Sequence, residues 1–280
     1  LSMALAGNEI DIDAMRALAS LVTGDDAGQD VLDHRVAASL KADRLTALGV
    51  VATKVDTAFS VAEGVLSLER LTVGDIEGAT LSAKGRVEGS LVSYGGTGSV
   101  SFRSPDPTSF ITMLRDRLPH HPLLDRLARN GSWDADSDLI ADISLGGSGL
   151  GGANIKLRGK ANGSTVDADL KLPGIFDLTA GNAMTLSASL ANPKVTVLLG
   201  QAGLDPLPFD GDGAGRLALT LQQKEQQAAT TELSFTTPKT SLLMAGDVNI
   251  QNAGFGEGRA RVSLKSADIE PYLLVTGVSL

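Results

Sequence analysis

The sequence predicts a mainly β fold: a long curved antiparallel sheet forming an open groove, built from repeated meander modules with short helices at the module crossings. Three observations predict it. Apolar and polar residues alternate with period two along most of the chain, the pattern of strands with one buried and one wet face. Aromatic residues are only 4% of the 280 residues while glycines number 32, so small side chains favour a wide, thin sheet over a thick packed body. Helical spacing is confined to short stretches at recurring places.

In order, Leu1–Ala6 reads as a short apolar start. Asp11–Val22 follows helical spacing through Ile12, Met15, Leu18, Ala19 and Val22. Strands follow: Val36, Ala38, Leu40 and Ala42 alternate with polar residues, then Val55, Thr57, Phe59 and Val61. The organising stretch, Gly64–Val87, reads as two strands joined by the Gly74-Asp75 turn. A strand from Gly89 to Phe102, holding Tyr94 and a Gly-Gly pair, completes about five strands of antiparallel meander.

Pro105-Asp106-Pro107-Thr108 then supplies an N-cap aspartate with proline at the first helical position. Phe110, Ile111 and Leu114 form a stripe, Pro119–Pro122 interrupts it, and Leu123, Leu124, Leu127 and Ala128 form a second helix closed by Asn130-Gly131. Strands resume with Leu139, Ala141, Ile143 and Leu145, then Ala153, Ile155 and Leu157, then Val166, Ala168, Leu170 and Leu172, then Met184, Leu186, Ala188 and Leu190. After an apolar Val195–Leu204 segment and a Pro-rich link come Leu217, Leu219 and Leu221, then Leu233 and Phe235. Leu242, Met244, Gly246, Val248 and Ile250 share one parity, as do Ala260, Val262 and Leu264.

An internal repeat underlies this order. Ser101-Phe102-Arg103-Ser104-Pro105-Asp106, followed by Phe110, aligns with Ser263-Leu264-Lys265-Ser266-Ala267-Asp268, followed by Tyr272; Ser189–Pro193 is a looser copy. Strand-to-crossing junctions thus recur at roughly 75–95 residues, the mark of an array. The expected organisation is a first groove module with its N-terminal helix at 1–105, a helical crossing at 106–131, and further modules at 132–280 in one continuous sheet. The chain opens on Leu1, which reads as a piece cut from a longer protein carrying an anchor or signal elsewhere.

Catalytic and cofactor motifs find little support. Gly147-x-Gly149-x-x-Gly152 matches a dinucleotide fingerprint in letters, but a strand follows it where a helix is needed. Asp134-x-Asp136-x-Asp138 lacks the glycine and the terminal glutamate of a calcium loop, and reads as the wet face of a strand. His120-His121 and His34 form no set of ligands, no Gly-x-Ser-x-Gly frame is present, and there are no cysteines. The expectation is therefore no enzyme, no cofactor and no metal. A net charge of −9 makes nucleic acid a poor partner.

The physical consequence of the alternation is a greasy strip. About fourteen strands would make a sheet on the order of 65–70 Å long, and short helices cannot cover it. Soluble proteins tolerate exposed apolar patches of only a few hundred Å². The strip therefore curls into a gutter or receives a partner. The residues expected to line it are Val36, Leu40, Val55, Phe59, Leu139, Ile143, Ile155, Leu157, Val166, Leu170, Leu186, Leu190, Leu217, Leu219, Leu233, Phe235, Met244, Val248, Val262 and Leu264. Lipid acyl chains suit such a lining, with headgroups left in water.

The run Val36–Val87, with K-A-D-R-L-T-A-L-G, G-V-L-S-L-E-R-L-T-V and G-A-T-L-S-A-K-G-R-V, resembles the repeated unit of the AsmA-like proteins, relatives of TamB and more distantly of the chorein-type lipid-bridge proteins. The S-[FL]-[RK]-S-[PA]-D junctions agree with it. The resemblance is strongest over 30–105. It implies a Gram-negative protein anchored in the inner membrane by a helix outside this segment, with a periplasmic groove for phospholipid and a part in outer-membrane assembly, where outer-membrane proteins are further expected partners. It carries over no catalytic residues. An alternative is a periplasmic scaffold whose sheet edges pair with another β protein. A β-solenoid adhesin would show stacked Asn or aromatic ladders, and the sequence has neither.

Overall fold

The structure is a computed structural model that describes residues 2–14, 36–89, 94–117, 122–146, 152–173, 183–204, 213–225, 227–251 and 254–268. Its strands are β1 (Ser2–Asp11), β2 (Val36–Ala47), β3 (Val50–Ala62), β4 (Val65–Ile76), β5 (Ala79–Gly89), β6 (Tyr94–Ser104), β7 (Ser137–Leu145), β8 (Ala153–Ala161), β9 (Ser164–Leu172), β10 (Met184–Asn192), β11 (Gly215–Gln223), β12 (Ala229–Thr236), β13 (Thr240–Gln251) and β14 (Gly254–Ser266). They form one 14-stranded sheet in sequence order, with β1 and β14 at opposite edges and no closure into a barrel. Helices α1 (Thr108–Arg117) and α2 (Pro122–Asn130) and a 3-10 turn (Gly131–Asp134) separate β6 from β7, and α3 (Val195–Gln201) separates β10 from β11. The mainly β, open-groove fold class expected from the alternation is the one observed.

Local chemistry explains the hairpins. Leu48-Gly49, Glu63-Gly64, Glu77-Gly78 and Asn162-Gly163 each place both residues at positive φ, the two-residue turn whose twist matches that of paired strands. Each ends in glycine because the second position tolerates little else. The expected Gly74-Asp75 turn is thereby corrected. Those residues lie inside β4, and the chain reverses at Glu77-Gly78. A glycine-acid pair alone does not define a turn; two consecutive left-handed residues do.

Three further readings are corrected. The apolar start is part of a strand, β1, that runs to Asp11 and pairs in parallel with β2, whereas every other pair is antiparallel. Parallel pairing requires the intervening chain to return along the full strand length. Residues 12–14 begin a helix, with Asp11 accepting from the Ala14 N–H at 2.8 Å; the rest of the expected helix lies outside the described residues. The strand expected from Gly89 begins at Tyr94, and Gly89 ends β5. Asp134 is not on the wet face of a strand but sits half-buried in the 3-10 turn.

Bulges keep the apolar residues on one side. Lys54 takes φ 52° in mid-strand, so Ala52 and Val55, three apart, are both buried in one cluster with Val73. Leu45 and Ile76 pack against the same cluster. Pairing also shifts between Leu68 and Leu71 in β4. An extra residue at such points restores the parity that a plain strand would lose.

The crossings are linked along one rim. Ser104, Asn192 and Ser266 close β6, β10 and β14, and each reaches back to the preceding hairpin on that rim. Ser104 Oγ donates to Gly78 O (2.9 Å), Asn192 Nδ2 to Asn162 O (3.0 Å), and the Ser266 and Thr240 hydroxyls share a bond of 2.7 Å. The Leu48-Gly49 tip is held by Asp13, whose carboxylate accepts both N–H groups at 2.7 Å, and by Arg117 of α1, which donates to both carbonyls. One crossing later, Gln201 of α3 donates to Asp134 Oδ1 (3.2 Å) and Ala161 O (3.1 Å) and accepts from Ser164 Oγ (2.6 Å). Trp133 lies so close to Gly200 that a Cβ there would stand 2.2 Å from the indole.

Two outcomes follow. Gly200→Ala forces Trp133 away and lowers stability by about 1–3 kcal/mol, read in a urea melt followed by fluorescence of this single tryptophan. Burial pushes the Asp134 carboxyl up to about 6, against the Gln201 hydrogen bond that lowers it. The folded state therefore holds a proton that the unfolded chain releases nearer pH 4. Stability falls as pH rises from about 4 through 6 and then levels. Asp134→Asn removes this slope and leaves the protein about 1–2 kcal/mol more stable than wild type above pH 7, after allowance for solvent screening of a half-exposed group. Melts across pH 4–8 measure it; an unchanged slope in the variant contradicts the assignment.

Candidate functional site: the apolar face

Register decides which side chains share a surface. One cross-strand row runs Leu40, Thr57, Leu71, Ala83, Val100, Ala141, Leu157, Ala168, Ala188, Leu219, Leu233, Met244, Val262. The row nearer the helices runs Ala42, Val55, Val73, Leu81, Phe102, Leu139, Gly159, Val166, Leu190, Leu217, Phe235, Leu242, Leu264. On the other side a row passes through Phe59, Leu68, Ile143, Ile155, Leu170, Leu186 and Leu221. The rim row beyond holds Val36, Val61, Leu66, Leu145, Leu172, Met184 and Val248. Every residue expected from the sequence to line the strip falls in one of these rows, all on one face.

This face is closed at one rim and open beyond it. At the helical rim Val195 and Leu199 of α3 are buried with Phe235, and Leu217 and Leu242 pack against them. Phe110 of α1 stacks at a tilt on Phe102, ring centroids 5.0 Å apart. Away from that rim most apolar side chains are half-buried, and Phe59, Leu66 and Val262 are 37%, 47% and 61% exposed. Half-burial is what neighbouring strands alone provide when no second layer covers a sheet. The strip spans from β2 to β14, about 60 Å at the usual strand spacing.

Two polar residues interrupt the rows, and the sequence reading missed them. Gln223 pairs with Met184 across the sheet and Thr231 with Leu221 and Gly246, so both project on the apolar face. Both are buried. Their signal was present: each occupies an apolar parity position, where a polar residue is easily taken for a strand end.

The opposite face is wet and satisfied within itself. Arg158 donates to Asp142 (2.5 Å), Arg103 pairs with Asp138 (3.0 Å), Arg70 with Asp56 (2.7 Å) and Lys156 with Asp169 (3.9 Å). Hydrogen bonds from Arg158, then Ser99, hold the Asp142 carboxyl below its ordinary range. An open depression of about 700 Å³ lies over this ladder between β4 and β8, among Lys84, Ser99, Asp142, Asn154 and Lys156. Exposed cross-strand pairs of this kind chiefly fix register.

No group of three or more His, Cys, Asp or Glu able to hold a metal ion occurs among the described residues. Asp134, Asp136 and Asp138 diverge: the first is tied to Gln201, the second takes φ 49° in a turn, and the third pairs with Arg103. Gly147–Gly152 spans the β7–β8 connection, where Gly146 N donates to Gly152 O at 2.8 Å; residues 147–151 between them, like His34, His120 and His121, lie outside the described residues. No described helix is long and apolar enough to cross a membrane. No family model, curated protein or solved structure matches this chain.

Proposed function

We propose that the chain is a non-enzymatic lipid groove of the AsmA-like kind, holding or conducting phospholipid acyl chains along its apolar face in the periplasm. One observation carries the reading: apolar side chains in register from β2 to β14 on a single face whose middle rows stay half-exposed. Each methylene removed from water gives about 0.8 kcal/mol, so one long acyl chain gains on the order of 10 kcal/mol. Contacts of this type are non-directional, and a lipid slides from row to row without meeting a deep trap. The resemblance of Val36–Val87 to the AsmA-like repeat supports an inner-membrane-anchored parent and a role in supplying phospholipid to the outer membrane.

A second reading rests on the sheet edges. β1 and β14 each pair on one side only among the described strands, which suits strand addition by an outer-membrane protein during assembly.

Native mass spectrometry of the purified chain separates the two, with co-purifying phospholipid expected under the groove reading and none under the scaffold reading. Leu170 and Leu186 face each other across β9 and β10. Leu170→Asp or Leu186→Asp is expected to remove bound lipid at least tenfold while circular dichroism keeps its β signal. Thr185→Asp, on the opposite face of β10, is expected to leave lipid content unchanged. Equal lipid in all three variants sinks the groove reading.

A further inference from the structure

We propose that Thr231 and Gln223 form a polar step on the apolar face that takes the ester carbonyls of a diacyl phospholipid, tails toward the helical rim and headgroup leaving at the β11–β12 hairpin. This inference rests on the lipid reading above and adds an orientation and a subsite to it.

Polarity across β11 and β12 rises in one direction. At the helical rim Leu217 and Phe235 pair with each other and pack against α3. The next row is Leu219 with Leu233, and then Leu221 with Thr231. Gln223 ends β11, and Lys224 follows it, exposed, in the hairpin. From Leu217 to Gln223 the strand covers roughly 20 Å, the reach of a long acyl chain. Hydrocarbon, neutral hydrogen-bond donors, then a cation is the order that tail, ester and phosphate require.

Thr231 is the pointed observation. It is only 5% exposed, and its Oγ1 has no hydrogen-bond partner. Buried polar atoms in folded proteins are nearly always paired, and an orphan needs a reason. Valine has almost the same shape, and the neighbouring rows use apolar residues freely, so packing does not call for the hydroxyl. Thr57, on the same face in β3, is half-exposed and reaches water. Gln223, 7% exposed, sits on the same rows as Leu145, Leu172 and Met184. Its Nε2 donates a long 3.4 Å bond to Gln227 O, and the amide has a second N–H. Cross-strand diagonal neighbours such as these stand about 7–8 Å apart at most, so one glycerol backbone meets both. The donors are neutral and no charged side chain shares their rows, which fits an uncharged carbonyl acceptor rather than a carboxylate or phosphate.

The test uses the full 280-residue chain and two probes, a diacyl phosphatidylcholine and its dialkyl-ether counterpart with the same headgroup and chain lengths. Competition read by native mass spectrometry is expected to favour the diester about fivefold per hydrogen bond. Thr231→Val and Gln223→Leu each reduce this preference about fivefold, the double variant abolishes it, and Thr231→Ser restores it, all with unchanged circular dichroism. Should wild type take both lipids equally, or the double variant keep the preference, the polar step is overturned while the groove reading stands. Should wild type take neither lipid, both fall.

Discussion

Cross-strand register is the constraint on which this structure depends. Side chains alternate faces with period two, so a slip of one residue in any pair would send that strand's leucines and valines to the wet side. The chain guards against this locally. The Leu48-Gly49, Glu63-Gly64, Glu77-Gly78 and Asn162-Gly163 turns lock each hairpin with two left-handed residues. Where strands coil most, at Lys54 and beside Leu68, bulges insert the residue needed to bring the next apolar side chain back. On the outer face, alternating charges such as Lys156 between Asp142 and Asp169 add little stability but penalise misalignment.

The second principle is asymmetry between the two rims. Helical crossings gather at one end of the strands, and each reaches back toward the crossing before it: Arg117 to the hairpin held by Asp13, Gln201 to Asp134, Gly200 to Trp133. Buried polar contacts are costly unless fully paired, and here they tie successive modules into one rigid margin. The opposite rim, among the described residues, is made of hairpins alone. A groove with one sealed margin and one margin of short turns has a direction built into its cross-section, which a symmetric gutter would lack.

Much of this was legible in the chain itself. Alternation identified the strands from Val36 to Leu264, and their parity assigned the apolar face correctly, because period two is a property of the backbone and survives whatever curvature the sheet adopts. The Ser101–Asp106 and Ser263–Asp268 repeat marked the crossings, and Asp106 does bond the Thr108 N–H at the start of α1. What failed were readings of single residues. Gly74-Asp75 resembled a turn as well as Glu77-Gly78 does, since φ is set by the pairing on either side. Asp134 looked like its neighbours Asp136 and Asp138 until the fold brought α3 over it.

Composition and periodicity by themselves therefore determined a β array with one apolar face, helices at its junctions and no large-residue core. Only the tertiary structure decided how the crossings interlock, since those contacts join residues far apart in sequence such as Asp134 and Gln201. It also decided which polar side chains are stranded among leucines. A threonine at an apolar parity position is unremarked on paper; burial by neighbours from three strands, which no local pattern encodes, is what leaves the Thr231 hydroxyl without a partner.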